Sequence, residues 1–408
     1  MLLQKNCWQK LRSSKNKAVY CFRGDTVIYA DNAATTKISD IAFEKMLPFL
    51  QEQYGNASSQ YSFGVKVKRA IEHARKQVAV AIGAELSEIT FTSGGSETNN
   101  WVLHGITEIF GSETIHIITS SIEHHSVLNT CRMLESKGVE VTYLPVDNLG
   151  YVLADDVNAA IKPSTKLVSI MLANNEIGTI QPIMEIGQFL HGQKILFHTD
   201  AVQAVGHIPV DVNKLQVDFL TASAHKFNGA KGTGILYKRS GLELPQLIFG
   251  GEQEYGMRAG TENVAGIVAA GYALEENIAN MFENSKLLRK LIDITVTGIK
   301  DRIPSVQINS DIDNCLPGIV NLGFNNIAGE SLMNILDLKG IQISTGSACM
   351  SGKDISSHVL LALGLSDDQA KSAIRISYGP FNTKEDAMTI VATVCDIFNK
   401  ITGMSRLS

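Results

Sequence analysis

The chain has 408 residues, 44% hydrophobic and 19% charged, with a formal net charge of -5. That balance describes a water-soluble protein with more apolar material than one simple core needs, so two domains are expected. It offers no basic field for nucleic acid, and no apolar run approaches the ~18 residues of a membrane span. The six cysteines, Cys7, Cys21, Cys131, Cys315, Cys349 and Cys395, are scattered with no CxxC pair. Neither a disulfide framework nor a metal site is expected, and a reducing compartment suits them.

Residues 1–25 carry Lys5, Lys10, Arg12, Lys15, Lys17 and Arg23 against Asp25 alone. This basic leader is expected to be disordered. It has no apolar h-region for secretion, and organelle targeting by it stays open. From Val27 the run VIYADNAATT reads as a short strand closing on Asp31 and Asn32, followed by an amphipathic helix at about 39–53 with Ser39 and Asp40 as cap candidates. The stretch 54–64 has loop composition, and 65–82 returns to helical spacing.

Seven apolar runs then alternate with helical patterns, at 88–92, 114–119, 140–145, 167–173, 195–199, 218–221 and 234–237. Such alternation predicts an α/β fold with a mostly parallel seven-stranded sheet covered on both faces, its ligand beyond the carboxyl ends of the strands. A long helix from 266 to about 300 leads into a smaller α/β unit, with strands expected near 306–309, 318–322, 341–344 and 373–377 and a helix at 329–339.

Four stretches carry chemistry. In FTSGGSETNN, residues 91–100, a strand ends, Gly94 and Gly95 strip away side chains and a helix starts near Ser96. Such an N-terminus binds phosphate through backbone N–H groups and the helix dipole, and it also fits a plain helix cap. In FHTDAVQ, residues 197–203, Asp200 closes a strand, either as an N-cap or as a carboxylate for a protonated ring nitrogen. In SAHKFNGAKG, Lys226 follows a strand end in a glycine-rich turn, where desolvation would make the amine nucleophilic; a surface lysine fits the same text. In STGSACMSG, residues 344–352, Cys349 sits among small residues, which favours a reactive thiol or marks a simple turn.

Together these stretches resemble the cysteine desulfurases, a branch of the class V aminotransferase family of fold-type I pyridoxal-phosphate enzymes. Further tokens are YADNAATT, GNASS, EHHSV at 123–127, NNEIG at 174–178, GGEQEYGMRAGTEN and IRISYGPF, so the likeness spans about 29–381. The spacing after STGSAC resembles the subgroup with the longer cysteine-bearing loop. The resemblance implies a large pyridoxal-phosphate-binding domain at 41–265 and a small domain from 26–40 with 266–408.

It also implies roles. Lys226 would bond the aldehyde of pyridoxal 5'-phosphate, Asp200 its ring nitrogen and Gln203 its ring hydroxyl, with His124 stacked on the ring. Gly95, Ser96, Ser223 and His225 would hold the phosphate, joined by Thr261 from a second copy in a homodimer. Asn175 and Arg375 would fix L-cysteine, and Cys349 would receive its sulfur as a persulfide for a sulfur-acceptor protein, an iron-sulfur scaffold or a tRNA-thiolation enzyme. The chain would be cytoplasmic. A selenocysteine lyase and a class V aminotransferase are the alternatives. Ser96, Met350, Ser356 and Pro380 depart from the commonest family text.

Overall fold

The computed structural model describes residues 27–111, 115–325, 327–345 and 356–405, so the basic leader and Cys349 lie outside the described residues. Strand β1 (Ile28–Tyr29) comes first. The seven apolar runs become β2 (Ile89–Thr92), β3 (His116–Ser120), β4 (Glu140–Leu144), β5 (Thr165–Ser169), β6 (Leu196–Asp200), β7 (Phe219–Ser223) and β8 (Gly234–Lys238) of one sheet, ordered β2-β8-β7-β6-β5-β3-β4. From β4 to β7 every pairing is parallel, while β8 runs antiparallel to both of its neighbours. The sheet is mostly parallel, as expected. The exception has a simple cause: the glycine-rich link between β7 and β8 is too short for the crossover that parallel pairing demands.

Side chains alternate across this sheet with a period of two. Ile118, Val168, Phe197, Leu220 and Ile235 face one core, beneath the helices Ser62–Ile82 and Ile183–Leu190. Ile117, Leu167, Leu196, Phe219 and Leu236 face the other, beneath Gly95–Phe110 and His125–Glu135. Both faces are therefore dry, and the strand ends are the place left for polar chemistry.

The helix expected at 39–53 runs Asp40–Gln51, with the Ser39 side chain accepting from Ala42 N at 3.2 Å as its cap. The next one starts at Ser62, earlier than its spacing suggested, and ends at Gly83, whose φ of 71° is the left-handed cap that glycine adopts freely. The long helix Val264–Arg302 belongs to two cores. Ile267 to Leu274 pack under the large sheet, and Leu288 to Ile299 pack in a second cluster.

That second cluster is closed by β9 (Gln307–Ile308), β10 (Ile319–Gly323), β11 (Ile341–Gln342), β12 (Ala373–Ser377) and the final helix Lys384–Ser405. An antiparallel sheet β12-β10-β9 forms its floor, and β11 pairs in parallel with β1. The first strand among the described residues is thereby tied to the C-terminal part. Among the described residues no helix is long and apolar enough to cross a membrane.

Candidate active site

At the carboxyl ends of the central strands lies a cavity of about 330 Å³. Its walls include Gly95, Ser96, His124, Asn175, Asp200, Gln203, Ser223, His225, Lys226 and Arg375, every residue expected around the coenzyme and substrate except Thr261 and Cys349. Thr261 lies instead in a second pocket of about 220 Å³ beside Ser93, Arg258 and Asn263. Cys349 lies outside the described residues.

Asp200 is the last residue of β6, and Lys226 ends the short 3-10 turn that follows the neighbouring β7. Parallel pairing of Asp200 with Thr221 explains why residues far apart in sequence share a wall. The Lys226 ammonium donates to the carbonyls of Ala33 and Ala34 at 2.5 and 2.8 Å. The Asp200 carboxylate is 5% exposed, accepts from Asn99 Nδ2 at 2.7 Å and Val202 N at 3.0 Å, and has no cation within salt-bridge distance among the described residues. Gln203 Nε2 donates to Ala33 O at 2.9 Å.

His124 caps the helix His125–Glu135: its Nδ1 accepts the N–H of Ser126 at 3.1 Å and lies 2.8 Å from Ser126 Oγ. An accepting Nδ1 puts the proton of the neutral ring on Nε2. Burial lowers the pKa of this imidazole most, Asp200 opposes that, and Lys226 and His125 add to it. Burial, then Lys226 and Lys231, pushes His225 down to about 4, so it is a neutral ring bonded through Nδ1 to Thr35 Oγ1 at 3.1 Å.

The helix Gly95–Phe110 opens at the cavity, and its first backbone N–H groups have no acceptor within the helix. A Cβ added at Gly95 would stand 2.8 Å from Val202 Cγ2, so a side chain there would crowd the cradle. Arg375, on β12, is 2% exposed. It donates through Nη2 to Asp31 Oδ1 at 2.6 Å and through Nη1 to Asn175 O at 3.0 Å, while its buried Nε has no partner in the structure. Arg375 thus combines a buried salt bridge to Asp31 with an N–H on the same fork that has no partner among the described residues.

Several residues of this neighbourhood escaped the sequence reading. Asn99 is one helical turn beyond Ser96 in the same motif, a spacing that places both on one face. Glu123 is fully buried: its Oε1 accepts from Ser120 Oγ at 2.6 Å and Met171 N at 2.9 Å, while Oε2 has no partner in the structure. Where the chain re-enters the described residues after the Cys349 segment, Ser356 Oγ donates to Asp367 Oδ1 at 2.5 Å and Ser357 Oγ to the buried Glu176 Oε2 at 2.5 Å. His358 Nε2 donates to the carbonyl of Glu123 at 2.9 Å. Ser356 is thereby tethered through its side chain to the start of the helix Asp367–Lys371.

Residues 28–390 match the aminotransferase class-V family model. The chain belongs to that family. It is 48% identical over 403 residues to the cysteine desulfurase IscS of Methanosarcina thermophila, an alignment covering 99% of this chain and 97% of the relative. A solved NifS-like protein superposes with a TM-score of 0.87 at 39% identity, over 92% of this chain and all of that one. The solved structure of SspA in complex with cysteine gives 0.76 at 38%, over 88% of this chain and all of that one. Within the class-V aminotransferases the chain stands among the cysteine desulfurases, whose coenzyme is pyridoxal phosphate. The cavity fits such a coenzyme. It offers an amine for an aldehyde, a buried carboxylate with no cation in salt-bridge distance among the described residues for a ring nitrogen, and a helix N-terminus for a phosphate.

Proposed function

We propose that this cavity converts L-cysteine to L-alanine and passes the sulfur to Cys349 as a persulfide. The reading is carried by the gathering of Lys226, Asp200, His124 and Arg375 around one space. Asp200 would hold the ring nitrogen of pyridoxal 5'-phosphate, Gln203 its ring hydroxyl and His124 its face. Gly95, Ser96, Ser223 and His225 would hold its phosphate together with Thr261 of the partner subunit. Bound there, the coenzyme supplies an electron sink conjugated to the substrate's α-carbon.

The chain's own groups do the rest. Arg375 keeps its Nε–H and the second hydrogen of each terminal nitrogen for the substrate carboxylate, and Asn175 lies beside it. Lys226, whose amine lines the cavity, would take the α-proton as general base. The Cys349 thiolate then attacks the substrate sulfur. A sulfur–sulfur bond forms as the Cβ–S bond breaks, and the electron pair stays with the carbon skeleton, which is protonated to alanine. One cysteine and one enzyme thiol give one alanine and one persulfide, so no outside oxidant is needed.

A homodimer follows from the role given to Thr261. A soluble acceptor, an iron-sulfur scaffold or a tRNA-thiolation enzyme in the cytoplasm, would take the persulfide sulfur. Residues 41–265 would form the coenzyme-binding domain, with 26–40 and 266–408 as the smaller one. Incubation with L-cysteine should yield alanine and one added sulfur on the peptide that contains Cys349, read by amino-acid analysis and mass spectrometry. Lys226→Ala should lose the bound-coenzyme absorbance together with turnover. Cys349→Ser should keep the absorbance and form no persulfide. A keto acid product would make the enzyme a transaminase, activity confined to selenocysteine would make it a selenocysteine lyase, and sulfide release by Cys349→Ser at the unaltered rate would remove Cys349 from the reaction.

A further inference from the structure

Asn99 lies in the fifth position of the helix that opens at the cavity and is 1% exposed. Its Nδ2 carries two hydrogens and makes two bonds, to Asp200 Oδ2 at 2.7 Å and to Ser126 Oγ at 2.8 Å. Turning the amide over would set its oxygen against a carboxylate oxygen, so the carboxylate itself fixes which way the group points. The Ser126 hydroxyl, accepting from Asn99, has one hydrogen left, and the atom 2.8 Å away is His124 Nδ1, which also accepts the Ser126 N–H. Every hydrogen bond in this row therefore has a single consistent direction, while the buried Asn99 Oδ1 has no partner among the described residues. The row begins at the carboxylate expected to hold the coenzyme's ring nitrogen and ends at the imidazole expected against the ring.

We propose that Asn99 and Ser126 are positioning residues for the desulfuration site: Asn99 orients the Asp200 carboxylate and, through the Ser126 hydroxyl, holds His124 in its Nε2–H form facing the cavity. The proposal rests on the roles given above to Asp200 and His124. A plain apolar residue at position 99 would pack as well inside the protein but would leave Asp200 Oδ2 and the serine hydroxyl without their donor, and an unmade bond to a buried carboxylate is costly. The titratable neighbours of His124 are Asp200, Lys226, His125 and His358, and its tautomer is set by the bonds at Nδ1.

The two variants separate the two ends of the row. Ser126→Ala removes the hydroxyl donor at His124, leaving Nδ1 the weaker Ser126 backbone N–H alone, and keeps the Asn99–Asp200 bond, whereas Asn99→Ala removes the donor from both Asp200 and the Ser126 hydroxyl. The coenzyme-free chain labelled with ¹⁵N-histidine, with His124→Gln assigning the signal, reports the tautomer directly. Equilibrium dialysis against pyridoxal 5'-phosphate reports the hold on the coenzyme, and alanine release reports the reaction. In Ser126→Ala the His124 signal should move away from the pure Nε2–H form, with recovery in Ser126→Thr and coenzyme affinity kept. In Asn99→Ala the signal should move and coenzyme affinity should fall about ten- to a hundredfold. Alanine formation should fall in both. A tautomer signal unchanged in either variant, or one that changes with no loss of alanine formation, overturns the proposal; if Asn99→Ala does not fold, Ser126→Ala and Ser126→Thr decide it. The underlying reading fails separately, if Asp200→Asn binds coenzyme and releases alanine as the unaltered chain does while the His124 signal still responds to Ser126→Ala.

Discussion

The fully buried Glu123 gives a stability that should depend on pH in a calculable way. Burial lifts its carboxyl to about 8, against the bonds from Ser120 and Met171, with Asp200 adding to the rise. The folded chain thus holds this proton up to about pH 8, whereas the unfolded chain releases it near 4.5. Between those values the native state binds the extra proton, so stability is complete below the unfolded value and is lost as pH rises through the folded one. At about 1.4 kcal/mol for each pH step, the loss between about pH 5.5 and pH 8.5 is on the order of 3 kcal/mol. Glu123→Gln imitates the protonated form: its side-chain oxygen can accept from Ser120 and Met171, and its amide nitrogen replaces the oxygen that has no partner. Thermal unfolding of both proteins across that range should show near-equal midpoints at the acid end and an advantage of about 4 °C for the variant at the alkaline end. A difference between the two proteins that stays flat with pH would refute the reasoning, because every other titrating group is common to both.

Three changes at the cavity wall probe separate roles. Asp200→Asn should leave coenzyme bound through Lys226 but cut kcat for alanine formation about a hundredfold, since a neutral amide cannot keep a ring nitrogen protonated. Arg375→Lys keeps a charge but loses the planar fork, so KM for L-cysteine should rise tenfold or more, roughly, with the coenzyme spectrum unchanged. Gly95→Ala puts a Cβ 2.8 Å from Val202 Cγ2, and should weaken coenzyme binding about tenfold by dialysis while the melting temperature moves little.

Local order in the chain was readable because burial on both faces leaves each strand as an apolar run, and because the residue that ends such a run sits at the ligand-facing edge. Asp200 and Lys226 were singled out that way, by position rather than by any partner, and the fold sets both on the wall of one cavity. The reversed strand β8 was not, although the short glycine-rich link before it held the information. Strand ends slipped where polar residues continue a strand that the apolar count stops, as Thr165 does at the start of β5. Partnerships were the least legible part. Asp31 meets Arg375 across almost the entire chain, and Asn99 reaches Asp200 and Ser126 from a helix whose text suggested only its phosphate end. A long-range hydrogen bond leaves no periodic trace in either segment that makes it, so only the fold can disclose it.

The segment after β1 shows how such bonds set the scale of the site. Asp31 holds Arg375 by its side chain, and the carbonyls of Ala33 and Ala34 hold the Lys226 ammonium. Between them the backbone turns back on itself, with Ala34 N donating to Asp31 O at 3.0 Å, a geometry that keeps the flanking Cα atoms within about 7 Å. Asp31 itself is bridged to Ser377 on β12, and Thr36 N and Ser39 N donate to His225 O and Asn228 O on either side of the lysine. One short turn therefore gauges the gap between a guanidinium carried by the C-terminal sheet and an amine carried by the large sheet. A longer turn here would leave both groups intact but change the gap between them.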